Sequence, residues 1–263
     1  MIKNSKKFQI SDLPDSMLKE VRRSIRFYSV AMLIYKGEDS KAIPASGTLC
    51  RIGQQCGIVT ARHVWAEIEK HLELKIVIGQ GAHTFKVSYL ASFGPSILGN
   101  KFGCSVPDII SIKLPSNFCS TFEANRKLFY PLNKSLSKHG NNLYSDEGYW
   151  CTFGSPEKRL KRESGQVPSV IYGTSIPQKC EENRWDYLEL DVIAEEGEMP
   201  QDVRGMSGGG IWRTLFSPID FSIYDIIFSG VNFYQTEIGK KYQIIGHGPK
   251  SIYKNLLELV NTQ

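Results

Sequence analysis

GMSGGGIWR, residues 205–213, sets a serine inside a run of glycines directly before a strand-length apolar stretch. Glycine adopts backbone conformations that a Cβ would obstruct. Such a run can therefore present one hydroxyl and its neighbouring backbone N–H groups on the same side. An acyl-transfer nucleophile and its oxyanion site require that arrangement. Taken alone the run also reads as a plain loop. It is not the nucleophile elbow of an α/β-hydrolase, because no strand–helix alternation surrounds it.

Outward from this stretch the chain is built of short β-type runs. GYWCTFG (148–154), PSVIYGTS (168–175) and YLELDVI (187–193) precede it, and DIIFSGVNFY (225–234) and YQIIGH (242–247) follow. A second set stands nearer the N-terminus: YSVAMLIY (28–35), ASGTLCRI (45–52), CGIVTA (56–61), LKIVIG (74–79), TFKVSYLAS (84–92) and DIISIKL (108–114). Several show the two-residue alternation of a half-buried strand. Between the sets, residues 115–147 are rich in Asn, Ser and Lys and lack sustained apolar periodicity. They read as a connector with a helical turn around Phe122–Leu128.

At residues 11–27 a helix is expected, with Ser11 as N-cap and Leu18, Val21 and Ile25 on one face. SIYKNLLELV (251–260) reads as a terminal helix on Ile252, Leu256, Leu257 and Val260. No helices alternate with the strands, so the expected fold is all-β: two antiparallel β-barrels with an N-terminal and a C-terminal helix. The expected boundaries are a helical extension at 1–27, a first lobe at 28–118, a connector at 119–147 and a second lobe at 148–263.

Composition narrows the function classes. Hydrophobic residues make up 41% and charged residues 22% of the 263, which suits a globular core rather than a disordered chain. A net charge of +5, from 32 basic and 27 acidic residues, is too small and dispersed to argue for nucleic acid. The densest basic run, Lys158–Arg162, is flanked by Glu157 and Glu163 and reads as a solvated loop or an exposed site of nicking. No window approaches the ~18 uninterrupted apolar residues of a membrane span. The N-terminal residues lack the apolar stretch of a secretory signal, and a cytoplasmic location is the expectation. Six cysteines, Cys50, Cys56, Cys104, Cys119, Cys151 and Cys180, show neither a CxxC pair nor zinc-finger spacing. They read as free thiols or as three disulfides, with free thiols expected in a reducing compartment. No metal and no cofactor is expected.

Two further stretches carry candidate chemistry. In GIVTARHV (57–64) a β run ends just before His63, and in PDIISIKL (107–114) Asp108 opens a buried strand. Each residue alone reads as structural. Together with Ser207 they supply the nucleophile, base and carboxylate of a triad, in the order His, Asp, Ser.

At these residues the chain resembles the trypsin-like (chymotrypsin-fold) peptidases. TARHV resembles their TAAHC segment, DIISIKL their DIxLxKL segment, and GMSGGG their GDSGGP segment. FSGVNFY (228–234) resembles the strand after the serine. The resemblance covers about residues 28–260. It implies Ser207 as nucleophile, His63 as general base and then acid, and Asp108 as the group that orients His63. It implies an oxyanion hole from the N–H groups of Gly205 and Ser207, with Met206 between them. It also implies a substrate-binding region at Gln201, Asp202 and Arg204 and at Phe233, Tyr234 and Gln235, for a protein substrate.

The departures matter. Val64 and Val203 stand where secreted members place half-cystines. Met206 replaces the acid that, in zymogen-activated members, pairs with a newly cut N-terminus, and Gly210 replaces proline. Three readings stay open. One is an active intracellular serine endopeptidase that cuts a particular protein partner, in the manner of bacterial defence or stress peptidases. The second is an inactive fold that binds or senses. The third is an enzyme held latent until a regulatory protein partner orders residues 196–206, or one whose N-terminal helix masks the cleft.

Overall fold

The computed structural model describes residues 13–35, 42–71, 74–77, 84–87, 91–93, 107–157, 170–182, 184–193, 204–217, 219–238 and 241–261. In chain order, α1 (Asp15–Tyr28) leads into β1 (Ser29–Ile34), β2 (Ile43–Ile52) and β3 (Gln55–Thr60). Then come α2 (Arg62–His71), β4 (Leu74–Val77), β5 (Thr84–Val87), β6 (Ala91–Phe93) and β7 (Ile110–Lys113). The middle of the chain holds α3 (Ser116–Ala124), β8 (Tyr130–Pro131) and α4 (Leu132–His139). It continues with β9 (Tyr149–Gly154), β10 (Val170–Thr174), β11 (Gln178–Glu182), β12 (Trp185–Ile193), β13 (Gly210–Phe216), β14 (Ile223–Ile238) and β15 (Lys241–His247). A π-helical turn (Ser251–Leu256) and α5 (Leu257–Asn261) end it.

The strands form two sheets, one per set of runs. The first has the order β5-β4-β1-β2-β3-β7-β6, with β8 added parallel to β2. The second runs β10-β9-β13-β14-β15-β12-β11, and an extra β10–β12 pairing closes six of its strands into a barrel. Among the described residues the first sheet shows no closing pair, so only the second barrel is seen to close. The expected run 84–92 is divided between β5 and β6, and β11 was not expected at all. Its sequence, QKCEE, is polar apart from one cysteine and gave no apolar signal.

The expected N-terminal helix starts at Asp15, behind Pro14, and Ser11 lies outside the described residues. Leu18, Val21 and Ile25 are its buried face, at the spacing that puts them on one stripe. At its C-terminal end the Lys127 ammonium donates to the carbonyls of Arg26 (2.8 Å) and Ser29 (2.6 Å), where helix carbonyls have no partner of their own. Burial in this position lowers the Lys127 pKa to about 8. Tyr28 then stacks on Trp212 (5.8 Å between centroids), which also meets Tyr130 and Phe228 edge-on or tilted. One aromatic cluster thus joins α1, β8 and the second sheet.

Residues 115–147 are more ordered than expected: α3 and α4 occupy them, rather than one turn near Phe122–Leu128. Polar packing explains why no apolar stripe announced α4. Its buried Ser135 lies between the hydroxyls of Tyr130 (2.6 Å) and Tyr253 (3.4 Å). At the other end of the chain Asp186 holds the start of the terminal helical segment, accepting from the N–H groups of Lys250 (2.9 Å) and Ser251 (2.6 Å). No helix among the described residues is long and apolar enough to cross a membrane.

Candidate active site

The antiparallel pairing of β3 with β7 explains how residues 45 apart in sequence meet. Thr60 lies opposite Ile110, so the chain leaves β3 beside the point where it enters β7. His63 sits in the first turn of α2, just past β3, and Asp108 lies two residues before β7. The Asp108 carboxylate accepts from the His63 backbone N–H through Oδ1 (2.8 Å) and faces His63 Nδ1 through Oδ2 (2.6 Å). Two contacts fix the imidazole relative to one carboxylate. The Asp108 side chain is 10% exposed and that of His63 is 42% exposed, so the pair is shielded behind and open in front. No helix was expected after His63, yet Val64, Trp65 and Ile68 bury its inner face.

The glycine run is an extension of the second sheet. The β13–β14 ladder starts at Gly210–Val231, and two more bonds, Gly208 N–H to Asn232 C=O (2.8 Å) and Asn232 N–H to Gly209 C=O (2.9 Å), carry it back toward Ser207. Gly208 has φ +84°, and a Cβ there would meet Thr60 Oγ1 at 1.9 Å and Ser46 O at 2.3 Å. Only glycine lets the loop approach β2 this closely.

Four consecutive carbonyls of this loop are engaged. Arg204 C=O accepts from Glu157 N–H (2.7 Å), Gly205 C=O from Ser46 Oγ (2.9 Å), Met206 C=O from Gly209 N–H (2.9 Å) and Ser207 C=O from Ser46 N–H (3.0 Å). Among the described residues there are no cis peptide bonds, so the N–H on the far side of each engaged carbonyl points the opposite way. The N–H groups of Gly205 and Ser207 have no acceptor among the described residues. Both residues are half-buried and line the cleft described below, so their N–H groups are available to solvent or to a bound anion.

Met206 turns away from solvent, 3% exposed, into the cluster of Trp150, Val170, Tyr172, Leu188 and Ile211. It lies so close to Gly154 that a Cβ there would meet Met206 Cγ at 2.6 Å. Its role in the loop is therefore played by its buried side chain.

His63, Asp108, Gly205, Met206 and Ser207 line one cleft of about 530 Å³. Arg204, Phe233, Tyr234 and Gln235 line the same cleft, as expected, while Gln201 and Asp202 lie outside the described residues. Asn232 and Ile244 also line it and were missed. Ile244 pairs with Gln235 across β14–β15, a neighbour that only the register reveals. No α1 residue lines the cleft. The Ser207 hydroxyl makes no hydrogen bond among the described residues, including to His63. No cluster of three or more potential metal-binding side chains occurs among the described residues.

A second histidine stands behind the pair. His247, at the end of β15, is fully buried, and its Nε2 accepts from the Asp108 backbone N–H (2.9 Å). Burial lowers its pKa to about 4, against the opposing pull of the Asp108 carboxylate and the Asp186 carbonyl. The titratable groups that face it are Asp108 and Tyr187, whose ring lies tilted against the imidazole. Between pH 6.5 and pH 4 the unfolded chain binds a proton at this position that the folded chain does not. Its contribution to stability is therefore complete above pH 6.5 and falls as the pH drops toward 4. By linkage the loss reaches about 3 kcal/mol. Urea unfolding of wild type and His247→Phe at pH 7 and pH 4.5 checks this: wild type loses more stability than the variant on acidification.

No protein-family model and no curated protein matches the sequence. Solved structures do. A thermostable serine protease, AL20, from an extremophilic microorganism is similar with a TM-score of 0.50 and 10% identity, over 90% of this chain and 98% of that one. The Rv3671c protease of M. tuberculosis, in its active form, is similar with a TM-score of 0.49 and 10% identity, over 99% of this chain and 94% of that one. The fold is chymotrypsin-like.

Proposed function

We propose that this chain is a serine endopeptidase acting through Ser207, His63 and Asp108. The observation that carries the reading is the juxtaposition, in one cleft, of a carboxylate-anchored imidazole and a serine flanked by two unpaired backbone N–H groups. His63 Nε2 takes the proton of the Ser207 hydroxyl as its oxygen attacks the scissile carbonyl. The oxyanion that forms is held by the N–H groups of Gly205 and Ser207, each donor contributing about 10²–10³ in rate. His63 then hands the proton to the leaving amine, and the acyl-enzyme on Ser207 is released by water activated at the same imidazole. Asp108 keeps the His63 proton on Nδ1 throughout.

The loop carbonyls tied to Glu157, Ser46 and Gly209 support an oxyanion site formed at rest rather than one that awaits a partner. Packing of α1 away from the cleft argues the same way. Arg204, Phe233, Tyr234, Gln235 and Ile244 would form the walls for the residue before the cleaved bond, in a protein substrate. The buried thiols of Cys50, Cys56 and Cys151 suit a reducing compartment such as the cytoplasm.

One observation favours an inactive binding module instead: Ser207 and His63 are not hydrogen-bonded. In substrate-free proteases that bond is often long and tightens on binding, so the geometry weighs less than the four engaged carbonyls. Digestion of a fluorogenic peptide library decides between the two. Cleavage by wild type that disappears in Ser207→Ala supports the peptidase; binding without cleavage by both proteins would sink it.

A further inference from the structure

His63 follows β3 and Asp108 precedes β7, both strands of the first sheet, whereas Ser207 precedes β13 of the second. Any triad made from them depends on how the two sheets are held together at this point. Beyond the loop contacts of Ser46, one buried polar bond crosses directly to the aspartate: Asp108 N–H to His247 Nε2, at 2.9 Å. Asp108 precedes β7, so its N–H has no place in the β3–β7 ladder, whose register begins at Ile110. Without the imidazole it would be a buried donor with no acceptor.

The imidazole is itself immobilised. It stacks on Phe233 (4.7 Å between centroids, 28° between planes), lies tilted against Tyr187 (5.0 Å, 41°) and meets Trp185 edge-on (6.0 Å). Its exposure is zero. A phenylalanine would fill the same aromatic box, but only a ring with an unprotonated nitrogen supplies an acceptor there. Because Nε2 accepts, it carries no proton, and the neutral ring holds its proton on Nδ1. Phe233 has a second part in this arrangement, since it also lines the cleft where substrate is proposed to lie. A continuous path therefore runs from the substrate wall through Phe233 and His247 to the main chain of Asp108.

We propose that His247 is a positioning residue: from the second sheet it holds the backbone of Asp108, and through it the orientation of His63, in register with Ser207. The catalytic consequence rests on the peptidase reading; the structural tie to Asp108 does not. The residue touches neither substrate nor the reacting atoms, so it acts only through Asp108.

Two substitutions separate acceptor from filler. His247→Phe keeps the stacked ring and removes the acceptor, and His247→Gln offers a side-chain carbonyl near the position of Nε2. Amide hydrogen exchange at Asp108, followed by NMR at neutral pH, tests the tie directly. The expected result is a protected Asp108 amide in wild type and His247→Gln, and exchange at least tenfold faster in His247→Phe, with neighbouring core amides unchanged. Labelling of Ser207 by a fluorophosphonate then reads the consequence. The rate falls about 10–100-fold in His247→Phe, the size expected of a small misplacement, and returns to within about threefold of wild type in His247→Gln. An Asp108 amide equally protected in all three proteins would overturn the proposal, as would equal losses of labelling in Phe and Gln variants with lowered thermal stability in both. If wild type fails to label while the exchange pattern holds, the peptidase reading falls and the tie to Asp108 stands.

Discussion

On the proposed peptidase reading, Asp108→Asn is expected to lower kcat about 10⁴-fold while leaving the fold intact. The amide has the shape of the carboxylate, and its oxygen can still accept from the His63 backbone N–H, as Asp108 Oδ1 does at 2.8 Å. Its NH₂ group would then face His63 Nδ1, where Asp108 Oδ2 now stands at 2.6 Å. A donor in that position selects the tautomer with the proton on Nε2. The nitrogen that should take the Ser207 proton is then already occupied. Steady-state hydrolysis of a library-derived peptide gives the rate, and near-UV circular dichroism shows that packing is kept. A loss of less than tenfold would mean that Asp108 does not orient the base.

The second large effect falls on stability. Met206→Asp is expected to cost about 4–6 kcal/mol, combining the loss of a buried methionine with the burial of a carboxylate in an apolar cluster. In zymogen-activated relatives of the resembled family an acid at this position finds a cationic N-terminus. Here its side chain belongs to an apolar cluster with Trp150, Val170, Tyr172, Leu188 and Ile211. Met206 therefore anchors the loop by burial where those members use charge. Met206→Leu keeps the volume and should cost under about 1.5 kcal/mol. Urea unfolding of the three proteins measures both numbers, and an aspartate variant as stable as the leucine variant would contradict the hydrophobic anchor.

The legibility of this molecule in its sequence was uneven for physical reasons. The run DIIFSGVNFY falls inside β14, which extends beyond it at both ends. SVAMLI and YWCTFG are legible because a short continuous apolar run reads as a buried strand, and both are buried at every position. The helix at 62–71 was not, although Val64, Trp65 and Ile68 carried the signal, because a ten-residue element gives little periodicity to count. The helix at 132–139 hides its buried face behind Ser135, whose environment is hydroxyl and not apolar. At the candidate site, His63, Asp108 and Ser207 were identifiable from local motifs, and the structure brings all three to one cleft. His247 and Ile244 were not. Their partners, Asp108 and Gln235, become neighbours only once strands from distant parts of the chain are paired. Met206 was legible as a missing acid, but its hydrophobic role needed the cluster around it.

The most direct test of the central claim is labelling with a fluorophosphonate probe, read by intact mass, on wild type and Ser207→Ala at pH 7.5. A serine activated by His63 and placed beside two free N–H donors should give wild type a single adduct, mapped to Ser207 by peptide mass, and leave the alanine variant unmodified. An unmodified wild type with native circular dichroism, or equal labelling of both proteins, would contradict it.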